Sequence, residues 1–261
     1  MSSKSTTKTT LALIPYLNCE PFYAGLDALD LDVVREPPRE LGRLAETGVA
    51  TCGPMAVTDW FRLRDRFDPL GDFGIACEGP VHSVMLFAKR EIARLAGARV
   101  GVTEDSSTSA AMIRLLLDRK HGLRGVRYAR GEHPDDDARL LIGDRALAAA
   151  SEGLDGFPFV HDLGEEWWGW QGLPFVFARW TVAKEVPAED RRRIEDAVGE
   201  SLASWEARVG EIAARRGPSL GLDEDGIREY LSAFTYRLGP VERLGEQTFE
   251  SLLAEEAEEA A

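Results

Sequence analysis

The sequence predicts an α/β protein of two lobes. Short apolar strands alternate with amphipathic helices along the chain, the pattern of a parallel sheet covered by helices. Its 261 residues lie where single hydrophobic cores tend to divide. Two nearly continuous apolar stretches, residues 81–88 (VHSVMLFA) and 175–183 (FVFARWTVA), read as strands buried on both faces, at which the chain passes between units.

In order, residues 11–14 form a short strand ending in Pro15-Tyr16-Leu17-Asn18, and a helix follows through Phe22 and Leu26. Residues 31–35 read as a second strand. Residues 38–46 read as a helix with Leu41 and Leu44 inward, and Gly48 suits its stop. Residues 49–53 form a third strand, after which Pro54 opens a helix with Val57, Trp60 and Phe61 at helical spacing. The second unit begins at residues 98–103 (ARVGVT). It continues with a helix over 109–119 and strands near 126–129 and 139–142, the last stopping at Gly143-Asp144 before an alanine-rich helix. Residues 161–170 (HDLGEEWWGW) read either as a cleft wall or as an amphipathic turn.

After Pro187 comes the longest expected helix, with Ile194, Val198, Leu202, Trp205, Val209 and Ile212 three or four apart until Gly217-Pro218. A shorter helix follows Asp223 and buries Ile227, Leu231 and Phe234. Packing these helices on the first unit predicts a discontinuous lobe, residues 11–88 with 184–261, enclosing a continuous lobe of residues 89–183. Residues 1–10 are expected to form a flexible N-terminal tail.

The charge balance of 31 basic against 45 acidic residues, net −14, argues against nucleic acid or an anionic membrane as partner. Part of the excess sits in residues 253–261 (LAEEAEEAA), which read as a solvated helix end. An anionic ligand would therefore need local donors such as Arg, hydroxyls or helix N-termini. Cys19, Cys52 and Cys77 contain no CxxC and read as buried reduced thiols, and none of the four histidines has a partner at metal-binding spacing. No metal is expected. No glycine-rich nucleotide motif and no GxSxG elbow is present, so no cofactor is expected. The polar N-terminus and the lack of a long apolar run predict a cytoplasmic protein without a membrane span.

Ligands of open α/β sheets bind beyond the carboxyl ends of strands, which directs attention to residues 15–18, 79–83, 103–109 and 143–144. Ser107, Thr108 and Ser109 either cap the following helix or, with its free N–H groups, bind a carboxylate. Asn18 can grip a hydroxyl or carboxylate, or simply stabilise a turn. Ser83, within an apolar strand, needs a partner that is either backbone or ligand, and alternation sends His82 to the other face. Gly143-Asp144 suits a ligand contact or a helix cap.

Residues 15–26 (PYLNCEPFYAGL) resemble the SYLN-x-x-P opening of the chorismate dehydratases of futalosine-dependent menaquinone synthesis. Residues 79–87 (GPVHSVMLF), 104–117 (EDSSTSAAMIRLLL), 140–147 (LLIGDRAL), 162–180 (DLGEEWWGWQGLPFVFARW) and 230–245 (YLSAFTYRLGPVERLG) resemble later motifs in the same order. The resemblance spans about residues 11–253. It implies a two-lobed periplasmic-binding-protein-like (type II) α/β fold, each lobe a mostly parallel sheet flanked by helices. It also implies the small-molecule substrate chorismate, converted to 3-[(1-carboxyvinyl)oxy]benzoate and water without a cofactor.

On the same resemblance Asn18 and Ser83 are the catalytic residues, polarising the reacting ring substituents. Ser107, Thr108 and Ser109 hold a carboxylate, and Gly143 and Asp144 lie near the substrate hydroxyl or order its loop. None of these is a strong base, so the substrate's own enolpyruvyl carboxylate is expected to take the ring C3 proton. Cys19-Glu20 before Pro21 and Cys52-Gly53 before Pro54 depart from the family pattern, and Glu20 must point away from an anionic substrate. A non-catalytic carboxylate receptor, the sister lyase that forms a dihydroxynaphthoate and a ligand-sensing domain are the competing readings.

Overall fold

Thr10–Leu13 (β1) is buried at all four positions, as a strand covered on both faces must be. The computed structural model describes residues 8–259. After β1 come the 3-10 helix Leu17–Phe22, β2 (Asp32–Arg35), α1 (Pro38–Glu46), β3 (Cys52–Ala56), α2 (Val57–Leu63) and β4 (Phe67–Cys77). Next are β5 (Val84–Ala88), β6 (Arg99–Val102), α3 (Thr108–Leu115), β7 (Arg127–Arg130), β8 (Ala138–Ile142), α4 (Gly143–Glu152), β9 (Phe159–Asp162) and α5 (Leu163–Gln171). Then follow β10 (Phe175–Ala183), α6 (Ala188–Ser204), α7 (Val209–Leu220), α8 (Glu224–Ser232), β11 (Phe234–Arg237) and α9 (Pro240–Glu259).

The strands form a six-stranded sheet, β11-β4-β10-β3-β1-β2, and a five-stranded sheet, β7-β6-β8-β5-β9. The two-lobed α/β architecture stands, but the sheets are mixed rather than mostly parallel. β1 runs parallel to β2 and β3, whereas β10 is antiparallel to β3 and β4, and β11 to β4. In the second sheet β6 is parallel to β7 and β8, and β5 is antiparallel to β8 and β9. Apolar continuity reports burial on two faces; it carries no information on strand direction.

The same ambiguity shifts two strands relative to the expected lobe limits. β5 belongs to the five-stranded sheet and β10 to the six-stranded one, so the chain passes between sheets at residues 78–83 and 172–174. Other expectations are corrected locally. Pro54 lies within β3, and the helix begins at Val57. The long helix breaks after Ser204 and resumes at Val209, and it passes Pro218 to stop at Gly221, whose φ is 66°. The longest helix is α9, with 20 residues. Phe234 opens β11 instead of ending α8. The sequence pattern does not mark β4, because Pro69, Gly71 and Gly74 interrupt its apolar run.

Residues 1–7 of the expected tail lie outside the described residues. Thr9 and Thr10 belong to the fold: the Thr9 hydroxyl donates to Asp190 at 2.8 Å, and the Thr10 N–H donates to Thr51 Oγ1 at 2.8 Å. The 3-10 helix that carries Asn18 is anchored from below by Phe22. Its ring stands edge-on to Phe73, Trp180 and Tyr236 at centroid distances of 6.4, 5.6 and 5.2 Å. Such pairs contribute about 0.5–1.5 kcal/mol each beyond burial, so the helix sits on a rigid floor. Among the described residues no helix is long and apolar enough to cross a membrane.

Candidate active site

The ends of both sheets face a common cavity. Its walls are largely apolar: Ile14, Ile75, Val81, Val84, Ile142 and Phe177 supply them. Its polar groups are the side chains of Tyr16, Asn18, Ser83, Ser106, Thr108 and Ser109, and no charged side chain lines it among the described residues. Three helices of eight or more residues begin at this wall, α1 at Pro38, α3 at Thr108 and α4 at Gly143. Their first-turn N–H groups and dipoles supply positive potential without a cation.

Each polar group is placed by local structure. Ser106 Oγ accepts the Ser109 N–H at 2.9 Å and so caps α3, which leaves Ser109 buried with its hydroxyl at the cavity wall. Arg130, at the end of β7, donates to Thr103 O and Ser106 O at 3.2 and 2.7 Å and holds the turn that leads into α3. The Thr108 hydroxyl bridges the lobes, 3.3 Å from Thr58 Oγ1 and 3.5 Å from Phe177 O. Asn18 is half-buried, and among the described residues its Oδ1 meets only the Cys19 thiol, at 3.4 Å. Burial pushes that thiol up to about 12, so it stays protonated and is no nucleophile.

Ser83 sits one residue before β5 and is 1% exposed. Its Oγ accepts the Tyr230 hydroxyl at 2.7 Å and lies 3.3 Å from Val81 O. The neighbouring His82 is exposed with φ 59°, and its N–H, like that of Val81, donates to Asp162. The Ser83 carbonyl accepts the Gly143 N–H at 2.8 Å, which couples the two strand ends. Gly143 has φ 62°, and a side chain there would stand 2.8 Å from the Tyr16 ring, so the position takes only glycine without strain. Tyr16 covers this corner. Burial, then the charges of Asp105 and Asp144, raise its pKa well above the ordinary phenol value.

Asn18, Ser83, Thr108, Ser109 and Gly143 thus meet at one cavity. Ser107 and Asp144 do not line it. Ser107 faces an outer groove with Arg114 and Arg130, and Ser106 stands in its place. Asp144 instead joins the lobes: Oδ1 accepts the Leu17 N–H at 2.8 Å, and Oδ2 pairs with Arg216. Glu20 is turned from the cavity and held by Arg215 and Arg216 at 2.7 and 2.5 Å, which removes the conflict with an anionic ligand. Cys52 and Gly53 lie in β3 away from the cavity. Trp167, in the tryptophan-rich segment, is core, edge-on to Phe175 and Phe249 at 5.0 and 5.8 Å. Tyr16 and Ser106 lie within the strand-end segments without an assigned role, and Tyr230, which reaches the site through Ser83, lies outside those segments.

A family model described as menaquinone biosynthesis matches residues 9–255. This chain belongs to the menaquinone-biosynthesis family. A curated relative, the chorismate dehydratase of Thermus thermophilus, is 34% identical over 263 residues, covering 93% of this chain and 94% of that protein. Among solved structures, a protein of Archaeoglobus fulgidus matches with a TM-score of 0.78 at 18% identity, over 97% of this chain and 99% of that one. The periplasmic aliphatic sulphonate binding protein of Escherichia coli matches with a TM-score of 0.62 at 16% identity, over 97% and 94%. These structural likenesses give this menaquinone-biosynthesis family member the periplasmic-binding-protein-like fold.

Proposed function

We propose that the chain is a chorismate dehydratase, a hydro-lyase that converts chorismate to 3-[(1-carboxyvinyl)oxy]benzoate and water. Its family and its relative of that name support the reading. The observation that carries it is the cavity itself: an apolar space whose polar groups are neutral donors gathered at strand ends and helix starts. Such a site positions a reactive substrate and stabilises developing charge, and it supplies no strong base.

Dehydration breaks the C3–H and C4–O bonds of the ring and leaves an aromatic sextet. The C3 proton is vinylogous to the ring carboxylate, so electron density moves onto that carboxylate as the C–H bond breaks. In this reading Thr108, Ser109 and the start of α3 hold the ring carboxylate. Asn18 and Ser83 grip the substituents at C3 and C4. The enolpyruvyl carboxylate takes the C3 proton, the electron pair forms the new ring double bond, and the C4 oxygen leaves with its own pair. The abstracted proton completes the water.

The lobes about these two sheets act as jaws, with residues 78–83 and 172–174 as the crossings. The test is incubation of the purified protein with chorismate, following the aromatic enol ether by mass and ultraviolet absorbance. Turnover is expected. Tight binding of chorismate without loss of water would overturn the enzyme reading in favour of a carboxylate receptor.

A further inference from the structure

We propose that Tyr230 fixes the direction of the Ser83 hydroxyl, so that Ser83 presents its proton, not a lone pair, to the departing oxygen of the substrate. The proposal rests on the dehydratase reading and adds to it a positioning residue outside the cavity wall. Tyr230 lies on α8, where Ile227, Tyr230 and Leu231 form the buried face and Asp223 caps the helix through the Gly226 N–H at 2.9 Å. The ring is edge-on to Phe234 at 5.2 Å, which leaves the phenol little freedom to turn. Its hydroxyl reaches Ser83 Oγ at 2.7 Å, its one hydrogen-bond partner among the described residues.

A serine hydroxyl has one proton and can be either donor or acceptor toward a ligand. Here the choice is made by the neighbour. The phenol proton has one acceptor within reach, Ser83 Oγ, and burial raises the Tyr230 pKa far above neutral, so that proton is present at every assay pH. With one lone pair of Ser83 taken by Tyr230, the serine proton points either to Val81 O or to the cavity. Ser83 Oγ donates to Val81 O only at 3.3 Å, long for O–H···O. A substrate oxygen that gains charge as its bond to carbon breaks is the better acceptor.

The bond changes balance without a proton from either residue. The C3 proton passes to the enolpyruvyl carboxylate and ends in the water, while Ser83 lends a hydrogen bond to the leaving oxygen and Tyr230 keeps its proton throughout. Tyr230 therefore acts only through Ser83, and this separates it from a residue that merely supports the fold.

The experiment is a double-mutant cycle with chorismate as substrate. Tyr230→Phe is expected to lower kcat about ten-fold while KM changes less than about two-fold. In the Ser83→Ala background the same Tyr230→Phe change is expected to leave kcat within about two-fold of Ser83→Ala alone. The double variant also removes both polar partners at once, so its fold is the less disturbed comparison if Tyr230→Phe alone is unstable. An unchanged kcat in Tyr230→Phe, or an equal further loss in the Ser83→Ala background, would overturn the positioning role and leave the dehydratase reading intact. Absence of turnover by the unmodified protein would overturn both.

Discussion

Asn18 brings its side-chain amide to the cavity, where among the described residues its Oδ1 meets only a weak thiol donor at 3.4 Å. A neutral donor aimed at developing charge in a water-poor site is worth up to about 3 kcal/mol. Asn18→Ala is therefore expected to lower kcat/KM about 10- to 100-fold with unfolding unchanged. Asn18→Asp should lose at least as much, because a carboxylate has no proton to give and repels an anionic substrate; equal activity of Asn18→Asp and the parent protein would refute the donor role. Gly143 makes a different demand. Its φ of 62° and the approach of the Tyr16 ring, 2.8 Å from where a β-carbon would stand, predict that Gly143→Ala costs about 2 kcal/mol and shifts Tyr16 off the cavity, read as a lower unfolding temperature together with a raised KM. The strand-end rule directs attention to Asn18, Ser83 and Gly143, which line one cavity, because position after a strand is visible in the sequence. It misjudges Ser107 because Ser106 and Ser107 lie in the turn before α3, where no periodicity in the sequence tells which hydroxyl faces the cavity. Tyr230 is invisible to it, since its partner lies 147 residues away.

At the scale of elements, amphipathic helices such as α1 and α8 are legible because their apolar spacing and caps are local. β4 and the partition of β5 and β10 are not, because sheet membership is set by long-range pairing that a buried strand's composition does not encode. The β9–α5 segment, read from sequence as a cleft wall or an amphipathic turn, illustrates a third case, in which charge is partly buried. Glu166 on α5 accepts from Lys120 Nζ at 2.5 Å and meets His121 Nε2 at 2.8 Å. Burial alone would raise the Glu166 pKa, but the bonds from Lys120 and His121 outweigh it and hold it below the ordinary carboxyl value. His161 on β9 has its pKa lowered, mainly by burial. The unfolded chain takes up a proton at His161 near pH 6.5 while the folded chain does not, so stability declines as pH falls below about 6.5. The Glu166 contribution is complete above the ordinary carboxyl pKa and is lost as pH falls through its depressed folded value. Unfolding temperature measured against pH should show both phases. His161→Gln should flatten the upper phase and Glu166→Gln the lower, and a His161→Gln profile identical to that of the parent would contradict the buried neutral imidazole.

The whole molecule is two lobes joined across a cleft, and Asp144 is the residue whose role changes most when the lobes are seen together. It stands on α4, beside the five-stranded sheet, yet its partners Leu17 N–H and Arg216 belong to the other side, and Arg216 in turn holds Glu20 and the Pro15 carbonyl. The backbone bond from Arg39 N–H to Asp105 O at 3.0 Å and the Thr58–Thr108 contact span the same cleft. With side chains 19% and 25% exposed, the Arg216–Asp144 pair lies between a surface pair worth under about 1 kcal/mol and a buried one whose disruption costs about 3–5 kcal/mol. About 2 kcal/mol of closing free energy corresponds to a roughly thirty-fold shift between open and closed forms. Asp144→Asn keeps an acceptor for Leu17 but gives up the charge, so the free protein should open, with a larger radius of gyration by small-angle scattering. Saturating chorismate should restore compactness, at a KM raised about ten-fold and with kcat nearly unchanged, because the closed chamber is the same once formed. A residue that touches substrate would behave otherwise, lowering kcat or affinity while leaving the unliganded radius as it was. The scattering curve of unliganded Asp144→Asn therefore separates a latch from a ligand contact, and an unchanged curve would assign lobe closure to packing and the remaining hydrogen bonds.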